Sequence, residues 1–313
     1  MTYIGPNDGA PMGGTEILKN GLYKHTKISE HDNINIMLST PTMKNIKFTK
    51  KNILWQHLSY DDPSLGLMKD TTFLNSIQAF VYVSNWQYEK YRYVHQIPTK
   101  NAFIIKNATE PIEFLTKEKN EKIKLIYTST PFRGLDILLS AFELLDRDDV
   151  ELDVYSSTII YGKDYEKHHV GLWDKIIEKA KSTKNVNYYG YASNEKIKKA
   201  LQQAHIFAYP STFEETCCLA MIEAGAAGCK MVTTNLGALY ETGSEFATMI
   251  PIQSNNDLLI KNYAKILNQE INDYWSIKNQ NMLKQQSDFY NNNYSWDNKS
   301  QDWNILFDYL TQT

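Results

Sequence analysis

The sequence predicts an α/β protein with two domains, each built around a parallel β-sheet. Short apolar segments alternate with longer helical patterns along most of the chain, as in successive β-α-β units. The length of 313 residues also favours two domains over one. Residues 109–122 separate the two series of strands, and their charges and Pro111 are typical of an interdomain linker.

Each element follows from a local pattern of apolar residues and turn signals. In the first domain, a very short strand ends at Ile4, and we expect a helix at residues 15–27 and strands at residues 34–38, 53–55, 80–84 and 103–105. In the second, we expect strands at residues 122–129, 152–156, 185–190, 205–209 and 230–234, and helices at residues 135–145, 165–181, 194–203 and 255–289. An asparagine-rich break at residues 291–293 precedes a terminal helix. The predicted domains are residues 1–112 and 113–290, with residues 291–313 as a C-terminal helix.

Composition and charge exclude several classes of protein. A hydrophobic content of 42% with 22% charged residues is that of an ordinary globular protein. No apolar run approaches the roughly 18 residues that span a bilayer, and the N-terminus lacks the pattern of a signal peptide. We therefore expect a cytoplasmic protein. The net charge of -3 argues against nucleic acid as a general partner.

Two local clusters have ordinary structural explanations. Cys217, Cys218 and Cys229 show neither a disulfide framework nor zinc spacing, so we expect them to be buried small residues. A lysine-rich stretch at residues 44–51 is expected to be a solvated loop between two strands. An acidic acceptor or peripheral contact with a membrane surface is the alternative for this loop.

The most informative stretch is residues 205–228. An apolar strand ends at Pro210, and two overlapping patterns of Ser or Thr followed three residues later by Glu predict a capped helix that begins near Ser211. Gly228 is expected to end this helix.

Two glutamates of this predicted helix suggest a ligand. Glu215 and Glu223 are eight residues apart, which corresponds to roughly 12 Å along a helix and an offset of only about 80°. Free amides near Cys218 and Leu219 suit an anion such as a diphosphate. A nucleotide sugar satisfies both features. Helix capping by Glu215 and a solvated position for Glu223 form the alternative explanation.

The whole stretch resembles the donor-site signature of a known family. A Pro-Ser turn, paired glutamates, the run Glu-Ala-x-Ala-x-Gly from Glu223 and a following apolar strand are similar to retaining glycosyltransferases of the family 4 type, glycosyl transferases group 1. The resemblance implies a GT-B fold, in which two Rossmann-like domains face a central cleft and a C-terminal helix crosses back to the first domain. Small enzymes of this type occur in phages and large viruses, and such an origin would place the chain in a host cytoplasm.

The resemblance also implies roles for these residues. Glu223 would hold the ribose hydroxyls of the donor, Glu215 would hold hydroxyls of its sugar, and the amides of Cys218 and Leu219 would face the diphosphate. Residues 216–218 depart from the family, which usually has glycine and aromatic residues there.

Further positions match the family outside this stretch. Gly13 and Gly14 precede the first helix, where the family has a glycine turn that closes over the donor; a plain helix start is the local alternative. His57 follows a predicted strand, and the resemblance implies contact with the transferred sugar, whereas a packed His is the ordinary explanation. Gly237 and Ala238 are weaker candidates, in a stretch that resembles the loop where the family positions the donor phosphates and sugar.

Arg133 breaks a local rule, because a cation at a helix N-terminus opposes the helix dipole. A phosphate nearby would resolve the conflict, and a solvated side chain is the alternative. In the resembling family an Arg and a Lys-Gly pair grip the diphosphate at this turn. Here Arg133-Gly134 stands where Lys-Gly is usual, and Ser129 or Thr130 stands where the family has the earlier Arg.

The chemistry expected is transfer of a sugar from a nucleoside-diphosphate donor to a glycan or other hydroxyl acceptor, with His57, Glu215 and Arg133 at the reacting groups. No metal or other cofactor is expected: Asp146 and Asp148 form an Asp-x-Asp pattern, but in a charged loop after a helix. Three rivals remain, namely modification of hydroxymethylated DNA bases, a non-catalytic nucleotide-sugar binder, and a dehydrogenase, the last disfavoured because its glycine fingerprint is absent.

Overall fold

The structure is a computed structural model in which residues 13–119, 122–161 and 168–312 are described. It divides into two compact units. The N-terminal unit comprises Gly14–Glu110, Glu214–Leu219 and Asn292–Thr313, and the C-terminal unit is built mainly from Pro111–Phe213 and Ala220–Asn291. The predicted strand that ends at Ile4 and the glycine-rich loop as far as residue 12 lie outside the described residues.

The N-terminal unit contains a four-stranded parallel sheet in the order β1-β2-β3-β4. Its strands are β1 (Ile34–Leu38), β2 (Lys51–Gln56), β3 (Ala79–Tyr82) and β4 (Ala102–Ile104), and its first helices are α1 (Gly14–His25), α2 (Thr71–Asn75) and α3 (Asn85–His95). The residues of β3 are all buried, as expected for a parallel strand covered on both faces.

The C-terminal unit contains a six-stranded parallel sheet in the order β10-β9-β8-β5-β6-β7. Its strands are β5 (Ile123–Tyr127), β6 (Val150–Val154), β7 (Val186–Tyr188), β8 (Ile206–Tyr209), β9 (Lys230–Thr234) and β10 (Thr248–Ile250). The helices that follow these strands are α4 (Leu135–Leu145), α5 (Asp174–Ser182), α6 (Asn194–Gln203), α7 (Leu219–Ala226), α8 (Leu239–Gly243), α9 (Asn256–Asp273) and α10 (Ile277–Asn293). Both parallel sheets agree with the predicted fold class.

Strand order in the C-terminal sheet reverses at β5. The chain runs outward from β5 to β6 and β7, and then returns to place β8 on the other side of β5. In open parallel sheets, ligands bind beyond the carboxyl ends of the strands at such a switch point. The loops after β5 and β8 are therefore where this unit is expected to bind a ligand.

The predicted capped helix near Ser211 is wrong, because α7 begins only at Leu219. The Ser211 side chain bonds instead with the backbone N–H and carbonyl of Phe213, so it stabilises a turn. The end of the helix is confirmed. Gly228 has a φ of 73°, and the amides of Gly228 and Cys229 bond back to Gly225 and Ala224 as in a Schellman motif.

Other features of the secondary structure also differ from the prediction. Residues 291–293 belong to α10 and do not break it, and the side-chain amide of Asn291 donates to the carbonyls of Ile112 and Ala226. The expected helix at residues 165–181 is α5, which begins at Asp174, and residues 162–167 lie outside the described part. The short strand β10 was not predicted.

The last helix, α11 (Trp296–Gln312), packs in the N-terminal unit. Backbone hydrogen bonds tie the start of this helix to Thr109. The Thr109 amide donates to the carbonyl of Tyr294, and the Trp296 amide donates to the carbonyl of Thr109. Trp296 stacks on His25 of α1, and Trp303 meets Trp55 of β2 edge-on with 4.8 Å between ring centroids. None of the described helices is long and apolar enough to cross a membrane.

Candidate active site

The turn after β5 touches the loop after β8 through their backbones. Gly134 has a φ of 96°, and a Cβ atom at this position would collide with the carbonyl oxygen of Pro210. Only glycine combines this conformation with such a close approach. The Arg133-Gly134 pair therefore lies at the switch point of the C-terminal sheet.

Arg133 lies against an aromatic ring at this point. Its guanidinium carbon is 4.3 Å from the ring centroid of Phe213, and its amide donates to the Thr130 carbonyl in the turn that leads into α4. A guanidinium over a ring face is attracted electrostatically by the ring. Phe213 was not identified from the sequence, where its only signal is an aromatic residue in the turn before the two glutamates.

Hydroxyl groups fix the shape of the surrounding loops. Thr233 and Thr234 of β9 donate to the carbonyls of Tyr209 and Ser211 over 2.7 and 2.6 Å, and the Tyr127 hydroxyl donates to Thr130 over 2.7 Å. Each bond satisfies a carbonyl at the carboxyl edge of the sheet, where loops would otherwise be free to move. The edge is thus preformed in the C-terminal unit.

Gly237 lies on the next loop along this edge. It follows β9, which pairs with β8, and has a φ of 64°, while the neighbouring Ala238 is fully buried. Arg133 and Gly134 thus follow β5 and Gly237 follows β9, the two strands that lie on either side of β8. Their contact with a donor remains a prediction.

Both glutamates are buried, which excludes a solvated surface position. Glu215 is 5% exposed and Glu223, within α7, is 6% exposed. Glu215 lies four residues before α7 begins, so neither helix capping nor the predicted spacing of the two carboxylates along one helix is correct. Burial of a carboxylate costs free energy and is typical of residues with a binding function.

The segment Glu214–Leu219 groups with the N-terminal unit, where it lies near two other candidates. Thr216 donates its hydroxyl proton to the carbonyl oxygen of His57 over 3.0 Å. A Cβ on Gly14 would lie 3.9 Å from the Leu219 side chain, an ordinary van der Waals distance. The structure therefore places Gly14 and His57 next to the segment that ends at Leu219. Gly13 immediately precedes α1.

Asn107 anchors the same segment. Its side-chain amide donates to the carbonyl oxygen of Cys217 over 3.0 Å, and Asn107 is almost fully buried. Neither Asn107 nor Thr216 was identified from the sequence as a site residue, although Thr216 is among the residues that depart from the family pattern. Cys217, Cys218 and Cys229 are buried, as predicted.

His57 has a neutral imidazole. Its Nδ1 lies 3.3 Å from the Ser39 hydroxyl, and its ring centroid lies 4.6 Å from that of Trp55. Burial lowers the pKa of His57 to about 3, because the charged form loses its hydration. The buried Nε2 has no hydrogen-bond partner among the described residues. A neutral ring of this kind can donate or accept one hydrogen bond through Nε2.

Helix α3 holds the loop that carries His57. Gln87, Tyr91 and His95, spaced four residues apart, each bond to a backbone carbonyl of that loop. Gln87 and Tyr91 bond to Leu58 over 2.8 and 3.2 Å, and His95 donates from Nε2 to Tyr60 over 2.8 Å. Residues four apart share one helix face, so a single face of α3 fixes the loop.

The two remaining charged patterns lie in solvent. Asp148 pairs with Lys184 over 2.6 Å, and Asp146 ends α4 with a φ of 46°. Lys44, Lys47 and Lys50 are exposed in the loop between β1 and β2. Within residues 13–119, 122–161 and 168–312, no three His, Cys, Asp or Glu side chains are grouped so that they could hold a metal ion.

Comparisons with known proteins agree with this architecture. A model of the family described as glycosyl transferases group 1 matches residues 108–294. No curated protein sequence matches the chain.

Solved structures share the fold at low sequence identity. The pneumococcal O-GlcNAc transferase GtfA, solved with UDP and GlcNAc, has a TM-score of 0.67 and 14% identity over 96% of this chain, which spans 61% of that enzyme's length. Anabaena HepE, solved with UDP and glucose, has a TM-score of 0.68 and 14% identity over 92% of this chain and 81% of its own. A glycosyltransferase from Rickettsia africae has a TM-score of 0.66 and 17% identity over 100% of this chain and 84% of its own. The predicted GT-B fold is confirmed.

Proposed function

The chain belongs to the glycosyl transferases group 1 family, and we propose that it is a retaining enzyme that moves a hexose from a UDP- or GDP-sugar to a hydroxyl group of a glycan, lipid or other acceptor. The donor's sugar-phosphate bond breaks, the anomeric carbon bonds to the acceptor oxygen, and the acceptor proton is released with the nucleoside diphosphate. The protein's task is to bind the donor and to stabilise the charge that grows on the departing diphosphate.

The contact between the Arg133-Gly134 turn and the loop after β8 carries this proposal. It supplies an arginine at the switch point of a parallel sheet, next to the N-terminus of α4. Arginine binds phosphate through two parallel N–H groups, and helix N-termini attract anions. We infer that Arg133 binds the diphosphate from the position in which Phe213 holds it.

The remaining donor contacts come from the glutamates and nearby amides. We infer that Glu223 accepts hydrogen bonds from the ribose hydroxyls, and that Glu215 accepts them from the donor sugar. The amides of Cys218 and Leu219, at the start of α7, would face the diphosphate. Burial of both carboxylates supports these roles, because proteins rarely bury a charged side chain that has no structural or binding role.

His57 is proposed to contact the transferred sugar through Nε2. Its low pKa keeps the ring neutral, so it would act by a hydrogen bond and would carry no charge near the developing positive sugar. Gly13, Gly14 and Gly237 are proposed to allow close approach of backbone to the donor.

A thermal-shift panel tests the proposal. The full chain would be heated with UDP, GDP, ADP and their common hexose derivatives, with and without Mn²⁺. Ligands that bind only the folded protein raise its melting temperature. We expect one nucleotide and its sugar to stabilise the protein without metal, and UDP comes first because two similar structures contain it. No shift with any nucleotide sugar would contradict the proposal.

A further inference from the structure

We propose that Tyr60, Trp86 and Lys90 form the binding site for a carbohydrate acceptor, which rests on the proposed function and adds its second substrate. Tyr60 lies four residues after the end of β2, and Trp86 lies four residues after the end of the adjacent β3. Both rings therefore lie beyond the carboxyl edge of the N-terminal sheet, on the same side as His57.

The two rings form a partly open corner. Their centroids are 6.1 Å apart, their planes are inclined by 69°, and both side chains are only partly buried. The Lys90 ammonium lies 5.0 Å from the Tyr60 centroid and 5.6 Å from the Trp86 centroid. The corner thus combines two partly exposed aromatic rings with a cation that has three hydrogen-bond donors.

The backbone on both sides of this corner is held in place before any ligand binds. Tyr60 is fixed through its carbonyl, which accepts from His95, and Trp86 lies in the first turn of α3, whose start is capped by the Ser84 hydroxyl. His95 and Lys90 lie on the same helix as Trp86, so one element positions all parts of the corner. Rigid aromatic groups bind with little loss of side-chain entropy.

Carbohydrate is the ligand that fits this combination. A pyranose ring has an apolar face of C–H groups that packs on an aromatic ring, and its edge carries hydroxyls that accept hydrogen bonds from an ammonium group. A purely apolar chain would leave Lys90 without a polar partner, which costs free energy on burial. The corner therefore favours a sugar over a lipid tail as the part of the acceptor that is recognised.

A printed array of defined oligosaccharides would test this inference with the labelled full chain. The oligosaccharide that binds best would then be titrated against wild type, Trp86→Ala, Tyr60→Ala and Lys90→Met. We expect each change to weaken binding, Trp86→Ala by about tenfold. Trp86→Tyr should retain most of the affinity and guards against misfolding of Trp86→Ala. Tyr93→Ala is the matched control, because Tyr93 lies on α3 but is 87% exposed.

Thermal shifts with the nucleotide sugars would be recorded for the same proteins, so that the two proposals can fail separately. Stabilisation by a nucleotide sugar that is equal in wild type and Trp86→Ala, together with lost glycan binding, supports the inference. Wild type that binds a nucleotide sugar but no glycan, or binds DNA oligonucleotides in place of glycans, overturns it. Equal glycan affinity of Trp86→Ala and Tyr93→Ala overturns it as well. Absence of any nucleotide-sugar shift would overturn only the proposed function.

Discussion

The hydroxyl of Thr216 donates to the carbonyl oxygen of His57 over 3.0 Å, and so joins two positions that are 159 residues apart in the chain. The bond ties the segment that carries Glu215 to the end of β2. Thr216 is also one of the residues by which this chain departs from the resembling family. Thr216, which differs from the residue usual in the family, therefore makes a specific hydrogen bond within this chain.

Replacement of Thr216 by valine keeps the shape of the side chain and removes the donor. We expect unfolding free energy to fall by about 1 kcal/mol, because the His57 carbonyl loses a hydrogen bond. The fall in transfer rate, expressed as a free energy, should exceed the fall in unfolding free energy, because the segment is no longer held at a fixed position relative to His57. Urea unfolding and initial transfer rates measure the two effects. Thr212→Val is the control, because Thr212 is exposed in the same loop. Equal effects of both substitutions would contradict the role assigned to this bond.

Gly134 should tolerate no side chain. Gly134→Ala would place a Cβ against the Pro210 carbonyl at a φ of 96°, and the strain should cost at least about 2 kcal/mol of unfolding free energy. Gly66→Ala provides the comparison, because no atom lies within 4 Å of a Cβ at that position. Denaturant unfolding of both variants would show whether the loss is specific to Gly134. A loss at Gly134 no larger than that at Gly66 would mean that the two loops can separate at little cost.

Local patterns were sufficient to predict much of the fold. Helix α4 and strands β1 and β9 have the predicted bounds, because each is a continuous apolar or amphipathic run with turn signals at its ends. The start of α7 could not be predicted in this way. Ser211 is a residue type that often caps a helix, yet its hydroxyl bonds with Phe213. A short turn forms at this point in place of the first turn of the helix.

Candidate residues of the site could be singled out where they matched a spaced pattern. Contacts between residues that are distant in sequence could not be predicted. Arg133 was singled out by its position at the start of a predicted helix, and Glu223 by the run Glu-Ala-x-Ala-x-Gly that resembles the family. The ring of Phe213 under Arg133 and the bond from Asn107 to Cys217 depend on chain segments that only the fold brings together. Sequence spacing carries no information about such contacts.

Arg133→Ala should weaken binding of a nucleoside diphosphate by about 10- to 100-fold, the equivalent of a charged hydrogen bond worth roughly 1.5 to 3 kcal/mol. Binding of the corresponding nucleoside, which has no phosphate, should be unchanged. Isothermal titration with both ligands separates the two results. Arg92→Ala is the matched control, because Arg92 pairs with Glu89 on the exposed face of α3. Equal weakening for nucleoside and nucleotide would show that Arg133 supports the fold and does not bind phosphate.

His205 should make the protein less stable as the pH falls. Burial, with smaller effects of the Lys117 and Lys124 charges, lowers the pKa of His205 from 6.5 to about 4 in the folded protein. Between these values the unfolded chain binds a proton that the folded chain does not, so unfolding free energy falls as pH decreases, by up to about 3 kcal/mol.

Urea unfolding at pH 7.5 and pH 4.5 would measure this dependence. His205→Asn keeps an acceptor for the Lys124 amide, which donates to Nδ1 in the wild type, and should make stability less dependent on pH. His168→Gln, at an exposed position, should leave the dependence as in the wild type. An unchanged slope in His205→Asn would contradict the assignment.

Glu223→Gln separates ribose recognition from structure. The substitution keeps the size of a side chain that is 6% exposed in α7, but replaces a carboxylate by a weaker acceptor. If Glu223 binds ribose hydroxyls, affinity for the nucleoside diphosphate should fall about tenfold, while the 2′,3′-dideoxy analogue should bind wild type and variant alike. Glu245→Gln, at an exposed position, should change neither affinity. Equal losses for both ligands would mean that the buried carboxylate maintains the fold of α7 and that another group reads the ribose.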